Sequence, residues 1–443
     1  MTTQQSAGAP KPGLTFQQAL EEANRCLLCH DAPCSSACPG GTDPATFIRK
    51  IRFLNLKGAA RTVLTNNPLG GACAHVCPTA ETCRGECLRQ GLDRPIDIDG
   101  LQRFAVEYGR AHGVVALEAG KPRSEKVAVV GAGPAGLTAA ARLASYGYQV
   151  TLFEARAKAG GMLRYGVPAS RLGDAALDAD LDEILNLGVE LRTNAPLDKD
   201  NAAEKLLAEG FSAVFVAPGL WKSRTLQIPG VELKGVGTAL EFLDQARTAP
   251  ESAASLVRGK NVAIIGGGSV ALDVAHCARQ LGAHRLYSIA LEALAELPAT
   301  QAEQDTARKD GLIVKPQCQV RRIVGEGGKV TALEGVETEW IAPGKLVPSN
   351  ARPVEGTSFR LQVGAVIQAI GQTPSATAGA ILAKAKKSGP LVQVDAKTQG
   401  TSLGAIFAGG DAVRGAGTAV AAVGDGKRAA DAIHQLISKE AAR

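Results

Sequence analysis

A short pattern occurs twice in this chain of 443 residues, the copies about 135 positions apart. KVAVVGAGPAGLTAAARLASYGYQVTLFEA begins at Lys126, and KNVAIIGGGSVALDVAHCARQLGAHRLYSIALE begins at Lys260. Each reads as a buried strand, a glycine turn, a helix and a second strand, and such self-similarity predicts two related nucleotide-binding domains. In the first copy Gly131 permits a tight turn, and Gly133, with Ala135 beside it, lets the backbone approach a pyrophosphate. Gly136 allows close helix–strand packing. The helix N-terminus would then face the phosphates. Glu154 ends the second strand, 18 residues after Gly136, where a carboxylate can accept hydrogen bonds from ribose hydroxyls. A lone glycine motif is a weak signal; the strand, helix and acid around it distinguish this one from an ordinary glycine turn.

The second copy runs Gly266, Gly267, Gly268, Ser269, with Ala271 as a permitted variant of the third glycine. Its second strand ends near Leu291 and Glu292. A 2'-phosphate would want Arg or Lys there, and only Arg285 is near. Glu292 would repel that phosphate and could bond a 2'-hydroxyl, so NAD(H) is expected over NADP(H). The competing reading makes Glu292 a solvated surface acid and draws the phosphate clamp from elsewhere in the chain. A third motif, AGGDAV, places Gly410 and Asp411 after a buried strand, suited to the ribityl and pyrophosphate end of a flavin. A helix starting near Thr418 could present its amides to the flavin's pyrimidine edge. Two such domains in one chain suggest FAD in the first and a nicotinamide nucleotide in the second.

Eight of the ten cysteines lie between Cys26 and Cys87, and the first four stand in CLLCHDAPCSSACP. The N-terminal MTTQQSAGAPKPG lacks the charged and apolar parts of a signal peptide and reads as a short flexible tail. No apolar run approaches the ~18–20 residues of a membrane span. A cytoplasmic address is therefore expected, where disulfides rarely persist, so the cluster signals metal. The isolated Cys277 and Cys318 read as buried apolar fillers. Thiolates at such spacings can be arms around iron–sulfur clusters, and in two-cluster proteins the last Cys before Pro commonly serves the other cluster. Four thiolates also suit zinc, though zinc would not carry electrons for a flavin. The net charge of +6 is mild for this length, and no long basic run or aromatic–basic stripe points to nucleic acid.

The nucleotide motifs resemble the two-dinucleotide-binding-domain flavoproteins, and residues 20 to 440 resemble the electron-input portion of the dihydropyrimidine dehydrogenase family. The resemblance is carried by CLLCHDAPCSSACP, NNPLGGACAHVCPTAETCRGEC, PIDIDGLQRF, VGAGPAG, GGMLRYGVPASRL, IIGGGSVALDVA, ELPA and AGGD. The chain is more distantly similar to the small subunit of glutamate synthase. The C-x5-C-x3-C interval from Cys77 to Cys87 and the PIDIDGLQ segment favour the pyrimidine branch. The resemblance implies two [4Fe–4S] clusters. Cys26, Cys29 and Cys34 would hold one, completed by Gln102; Cys38, Cys77, Cys83 and Cys87 would hold the other. Cys73 would be spare, or else it is the eighth ligand and Gln102 is polar packing. Gly161 and Met162 would lie near the flavin, Arg171 would contact it, and the Leu197 backbone would meet its adenine end. Ser170, where an aromatic residue is usual, and Pro218, where Thr is usual, depart from the family pattern.

The expected fold class is α/β: an N-terminal α-helical iron–sulfur domain followed by two interleaved Rossmann-like dinucleotide-binding domains. The expected boundaries are 1–115 for the clusters, 126–250 with 365–440 for FAD, and 251–364 for NAD(H), with a linker before residue 126. The resemblance implies an NADH-oxidising subunit that passes electrons to a partner acting on uracil or thymine. No (β/α)8 barrel fits in the chain, so that partner would carry FMN, the barrel and further clusters, and the resemblance implies a heterotetramer. No side chain is expected as a catalytic nucleophile or base. A donor to glutamate synthase and a zinc-stabilised scaffold without activity are the competing classes; the intact glycine motifs, Glu154 and Asp411 oppose the scaffold.

Overall fold

A computed structural model describes residues 13–441 apart from Asp198. The tail expected at the N-terminus lies, except for Gly13, outside these residues. Thr15 opens helix α1 (Phe16–Asn24) with a capping box: its hydroxyl accepts from the Gln18 N–H, and the Gln18 side chain accepts from the Thr15 N–H. The stretch after Asp43 has helical periodicity throughout, yet it forms two helices, α2 (Pro44–Arg52) and α3 (Leu56–Asn66). Leu54 between them takes a left-handed φ of 62°, and Asn55 caps the second helix through the Gly58 N–H. A good cap here wins over continued periodicity. Helices α4 (Gly70–Val76) and α5 (Ile98–Ala111) complete the cysteine-rich segment. Its core is made by Phe47, Ile48, Ile51, Leu64 and Leu101, all buried.

Strands β1 (Lys126–Val130), β2 (Gln149–Phe153), β3 (Glu190–Arg192) and β4 (Ala213–Val216) follow. With Ile406–Ala408 they form one parallel sheet, in the order Ile406–Ala408, β4, β1, β2, β3. Four of the five residues of β1 are buried, as expected of a parallel strand covered on both faces. Helix α6 (Pro134–Ser145) crosses from β1 to β2, and α7 (Asp174–Leu185) precedes β3. The C-terminal helix, Ala419–Ala441, packs along α6.

A second parallel sheet contains β5 (Val236–Thr238), β6 (Asn261–Ile265), β7 (Arg285–Ile289) and β8 (Leu312–Lys315). Its order is β5, Ala365–Gln368, β6, β7, β8. Helix α8 (Ser269–Gln280) links β6 to β7. An antiparallel group led by Cys318–Glu326 and Lys329–Trp340 follows β8. These elements confirm the α/β class, with helical cysteine-rich and Rossmann-like parts. Among the described residues, no helix is long and apolar enough to cross a membrane.

The chain divides into two compact units, and their edges differ from those expected. One comprises Tyr165–Pro168 and Trp221–Thr373, wider on both sides than 251–364. The reason is pairing: β5 and Ala365–Gln368 hydrogen-bond into the second sheet, not the first. The other unit joins the cysteine-rich helices to the first sheet. Two polar contacts show why these do not separate. Helix α4 has no side-chain cap of its own. Asp180 of α7, fully buried, accepts from the Gly71 and Ala72 N–H groups at 3.2 and 2.7 Å. Arg110 of α5 pairs with Asp180 and also with Glu183. Burial pushes the Asp180 carboxyl up to about 6, against the pull of Arg110 and the Ala72 N–H. The second contact is Lys427, whose ammonium donates to the Gly40 and Asn66 carbonyls.

Asp180→Ala removes the only cap of α4 and leaves buried donors without their acceptor, at an expected cost of about 2–4 kcal/mol. Urea denaturation followed by circular dichroism measures it; a midpoint equal to that of the unaltered protein would show that α4 does not depend on this carboxylate.

Candidate functional site

The first glycine turn is built where β1 ends. Gly131 has a φ of 96°, and a Cβ on it would stand 2.3 Å from the Ala217 carbonyl oxygen, so only glycine fits. That Cβ would also stand 3.3 Å from Pro218 Cα, which places the atypical proline beside the turn. Gly133 is the N-cap of α6 and offers no side chain to its first N–H groups, which are left for an anion. Gly136 lies in the first turn of α6, where a Cβ would strike the Gly131 carbonyl. Glu154, buried, accepts from the Ala132 N–H at 2.9 Å and from the Arg156 N–H at 2.8 Å, which fixes its carboxylate beside the turn.

Later segments return to the same place. A Cβ on Gly161 would stand 2.7 Å from Gly133 Cα, and Met162 begins the short helix Met162–Tyr165. A Cβ on Gly410 would stand 3.3 Å from the Ala135 Cβ, so the C-terminal motif meets the first glycine motif. The Gly410 N–H donates to Asp425, a fully buried carboxylate that also pairs with Arg414 and Arg428. Burial pushes the Asp411 carboxyl up to about 6, and the Gly417 N–H and Arg414 pull it back. Thr418 caps the C-terminal helix by accepting from the Ala421 N–H at 3.2 Å. The backbone of Arg171 is hydrogen-bonded to His75 of α4. Leu197 packs against the apolar core beneath the first sheet.

The second turn repeats the design. Gly266 has a φ of 131° and lies against the Ala369 carbonyl, and Gly268 caps α8 without a side chain. Ser269 donates through its hydroxyl to Glu303 at 2.8 Å. A carboxylate oxygen of Glu292 lies 3.7 Å from a Cβ built on Gly267, so this acid stands over the turn. Arg285 is exposed at the opposite end of β7, where its neighbour across the sheet is Asn261.

The cysteines are grouped differently from the sequence expectation. Cys26, Cys29, Cys34 and Cys87 border one cavity. Cys87 therefore sits with the first three cysteines and apart from its expected group. The physical reason is a turn that doubles back. Arg89 donates to the Arg25 carbonyl at 3.1 Å, pinning the segment after Cys87 against the segment before Cys26. The Ile96 N–H points at the Cys87 sulfur, 3.5 Å away. Cys77 is surrounded instead by Cys73, Cys38 and Cys83. Gln102, buried on α5, donates its amide to the Gly70 carbonyl at 2.7 Å, at the head of the helix that carries Cys73. Burial and neighbouring thiols push Cys34 up to about 11 and Cys83 up to about 12. Binding iron must therefore displace protons from these thiols.

Among the described residues no three His, Cys, Asp or Glu side chains converge closely enough to hold a single ion. Thiols spread around a cavity fit a multi-iron cluster better than one tetrahedral zinc. Sequence reasoning missed Asp180, Asp425 and Lys427. Their one signal is a charged residue among buried apolar neighbours on a helix, which does not reveal its partner.

Cys34→Ser and Cys87→Ser should each remove the same cluster, and Cys77→Ser the other, each leaving about half the iron. Iron and sulfide analysis with electron paramagnetic resonance (EPR) checks the grouping; a Cys87→Ser spectrum matching that of Cys77→Ser would restore the sequence-based grouping.

Comparison with known proteins agrees with this architecture. Residues 4–114 match the family described as dihydropyrimidine dehydrogenase domain II, 4Fe-4S cluster, and residues 125–426 match pyridine nucleotide-disulphide oxidoreductase. The NAD-dependent dihydropyrimidine dehydrogenase subunit PreT of Escherichia coli K12 is 38% identical over 426 residues, 96% of each chain. Its Salmonella typhimurium counterpart is 37% identical, over 97% of this chain and 96% of its own. The NADP(+)-dependent formate dehydrogenase subunit beta of Moorella thermoacetica is 32% identical over 98% of this chain and 62% of its own. Among solved structures, FprA of Mycobacterium tuberculosis in complex with NADPH aligns with a TM-score of 0.60 at 17% identity, over 72% of this chain and 86% of its own. Thioredoxin reductase of T. acidophilum aligns at 0.54 and 20% identity, over 70% and 99%. These two share the fold. The chain belongs to the family of dihydropyrimidine dehydrogenase PreT subunits, oxidoreductases in which a 4Fe-4S domain is joined to a pyridine-nucleotide domain.

Proposed function

We propose that this chain is the NADH-oxidising subunit of a dihydropyrimidine dehydrogenase. The observation that supports it most is the union, in one compact unit, of a glycine turn open to an anion and a cavity walled by four cysteines. When bound, FAD accepts a hydride from NADH, and [4Fe–4S] clusters carry the electrons singly to a partner.

The chain's own residues bind, orient and shield. Gly131, Gly133, Ala135 and Gly136 admit the FAD pyrophosphate to the head of α6, and Glu154 holds its ribose. Gly161, Met162, Arg171 and Leu197 line the flavin and its adenine end. Gly410, Asp411 and Thr418 hold the ribityl chain and pyrimidine edge. Gly266, Gly267, Gly268 and Ser269 receive the nicotinamide nucleotide, and Glu292 selects the free 2'-hydroxyl of NADH. Cys26, Cys29, Cys34 and Cys87 hold one cluster. Cys38, Cys77 and Cys83 hold the second; the resemblance gives Gln102 to the first cluster, but with Cys87 there, Gln102, bonded to the helix that carries Cys73, completes the second. Contact of Cys73 with Cys77 favours a second assignment, in which Cys73 takes that place. Gln102→Ala and Cys73→Ser separate the two: the variant of the true ligand loses about half the iron, and the other keeps it.

The pyrimidine site belongs to a partner with FMN, a (β/α)8 barrel and further clusters, in a cytoplasmic heterotetramer. The PreT relatives are themselves named as subunits, which supports a partner. Similarity to the formate dehydrogenase subunit supports a second reading, an NAD(P)H-dependent donor to another acceptor, glutamate synthase included.

Anaerobic affinity purification from the native cell tests this. The expected eluate contains a second chain and oxidises NADH when uracil is added, whereas the chain alone reduces only artificial acceptors. A glutamine-using or formate-oxidising companion would overturn the pyrimidine assignment. Glu292→Arg should raise the kcat/KM ratio of NADPH to NADH by about tenfold; an unchanged ratio from steady-state kinetics would remove Glu292 from the site.

A further inference from the structure

One half-buried cation, Lys427, has no part in the cofactor assignments above. Lys427 lies on the C-terminal helix one turn after Gly424, and both face the arm that follows Cys38. A Cβ on Gly424 would stand 2.4 Å from the Pro39 carbonyl oxygen, and one on Gly40 would stand 3.0 Å from Val420. The backbone after Cys38 therefore lies directly on the helix. The Lys427 ammonium donates to the Gly40 carbonyl at 2.8 Å and the Asn66 carbonyl at 2.9 Å. The Gly41 N–H closes the turn on the Cys38 carbonyl at 3.0 Å. Both acceptors of Lys427 are uncharged. Asp431, a carboxylate in its surroundings, is itself paired with Arg142. A half-buried positive charge thus stands against the backbone turn that carries Cys38.

We propose that Lys427 is a positioning residue that sets the reduction potential of the cluster on Cys38, a reading that rests on the cluster assignment above. Its two hydrogen bonds hold the Cys38 arm against the helix that begins beside Gly410 and Asp411. Its charge favours the reduced cluster, which carries one more negative charge than the oxidised one. Electrons are thereby drawn from the flavin side of the unit toward that cluster.

Charge and geometry are separated by three substitutions. Lys427→Gln keeps an N–H donor and removes the charge, Lys427→Met removes both, and Lys427→Arg keeps both. The full chain is titrated anaerobically with photoreduced deazaflavin and followed by EPR, the signal absent from Cys77→Ser marking the cluster concerned. At a fixed solution potential, the ratio of reduced to oxidised cluster should fall by about tenfold in the Gln and Met variants and stay within about twofold in the Arg variant. An unmoved ratio in the Gln and Met variants, with normal iron content, would overturn this inference alone. An equal shift in all three variants would also overturn it, because loss of the clamp and not of charge would be the cause. An unaltered protein lacking iron and sulfide would overturn both the inference and the functional reading beneath it.

Discussion

The cysteine-rich helices depend on a carboxylate that is not theirs. Helix α4 is a seven-residue helix with no cap of its own, and it carries Cys73 and leads into Cys77. A helix so short is not stable alone. Asp180, from beneath the first nucleotide sheet, satisfies its leading N–H groups, and Arg110 keeps that buried carboxylate paired. The arm that carries Cys73 and Cys77 is thus positioned by the part of the chain that forms the first glycine turn. Lys427 makes the reciprocal tie on the other side, from the C-terminal helix to Gly40 and Asn66. These polar contacts explain why the described cysteine-rich helices and the first sheet form one unit.

The chemistry asks little of the side chains as acids or bases. Both glycine turns present uncapped helix N-termini, and each has a carboxylate beside it, Glu154 in one and Glu292 in the other. The difference between them lies in what returns to the turn. At the first, Gly161 and Gly410 close in on the motif from distant parts of the chain. At the second, Glu303 takes the Ser269 hydroxyl. Buried Asp425 orders the returning C-terminal segment through Gly410 and Arg414. The protein contributes orientation, burial and placed charge to reactions that belong to its cofactors.

The local elements were legible in the residues. The two strand–glycine–helix units, the helix starting near Thr418, and the clustering of eight cysteines all follow from short-range rules about turns, caps and burial. The amphipathic stretch after Asp43 was legible as helix, though its break at Leu54 was not, because periodicity carries no information about a competing cap at Asn55. What the sequence by itself determined is which residue types stand in each turn and arm, since glycine, carboxylate and thiol are required by local geometry and chemistry. Only the tertiary structure decided which of them meet. It moved Cys87 to the group of Cys26, assigned β5 and Ala365–Gln368 to the second sheet, and recruited Asp180, Asp425 and Lys427. Those outcomes turn on contacts between residues far apart in the chain, such as Arg89 with Arg25 or Lys427 with Gly40, and spacing along a sequence does not encode which distant backbone a side chain will find.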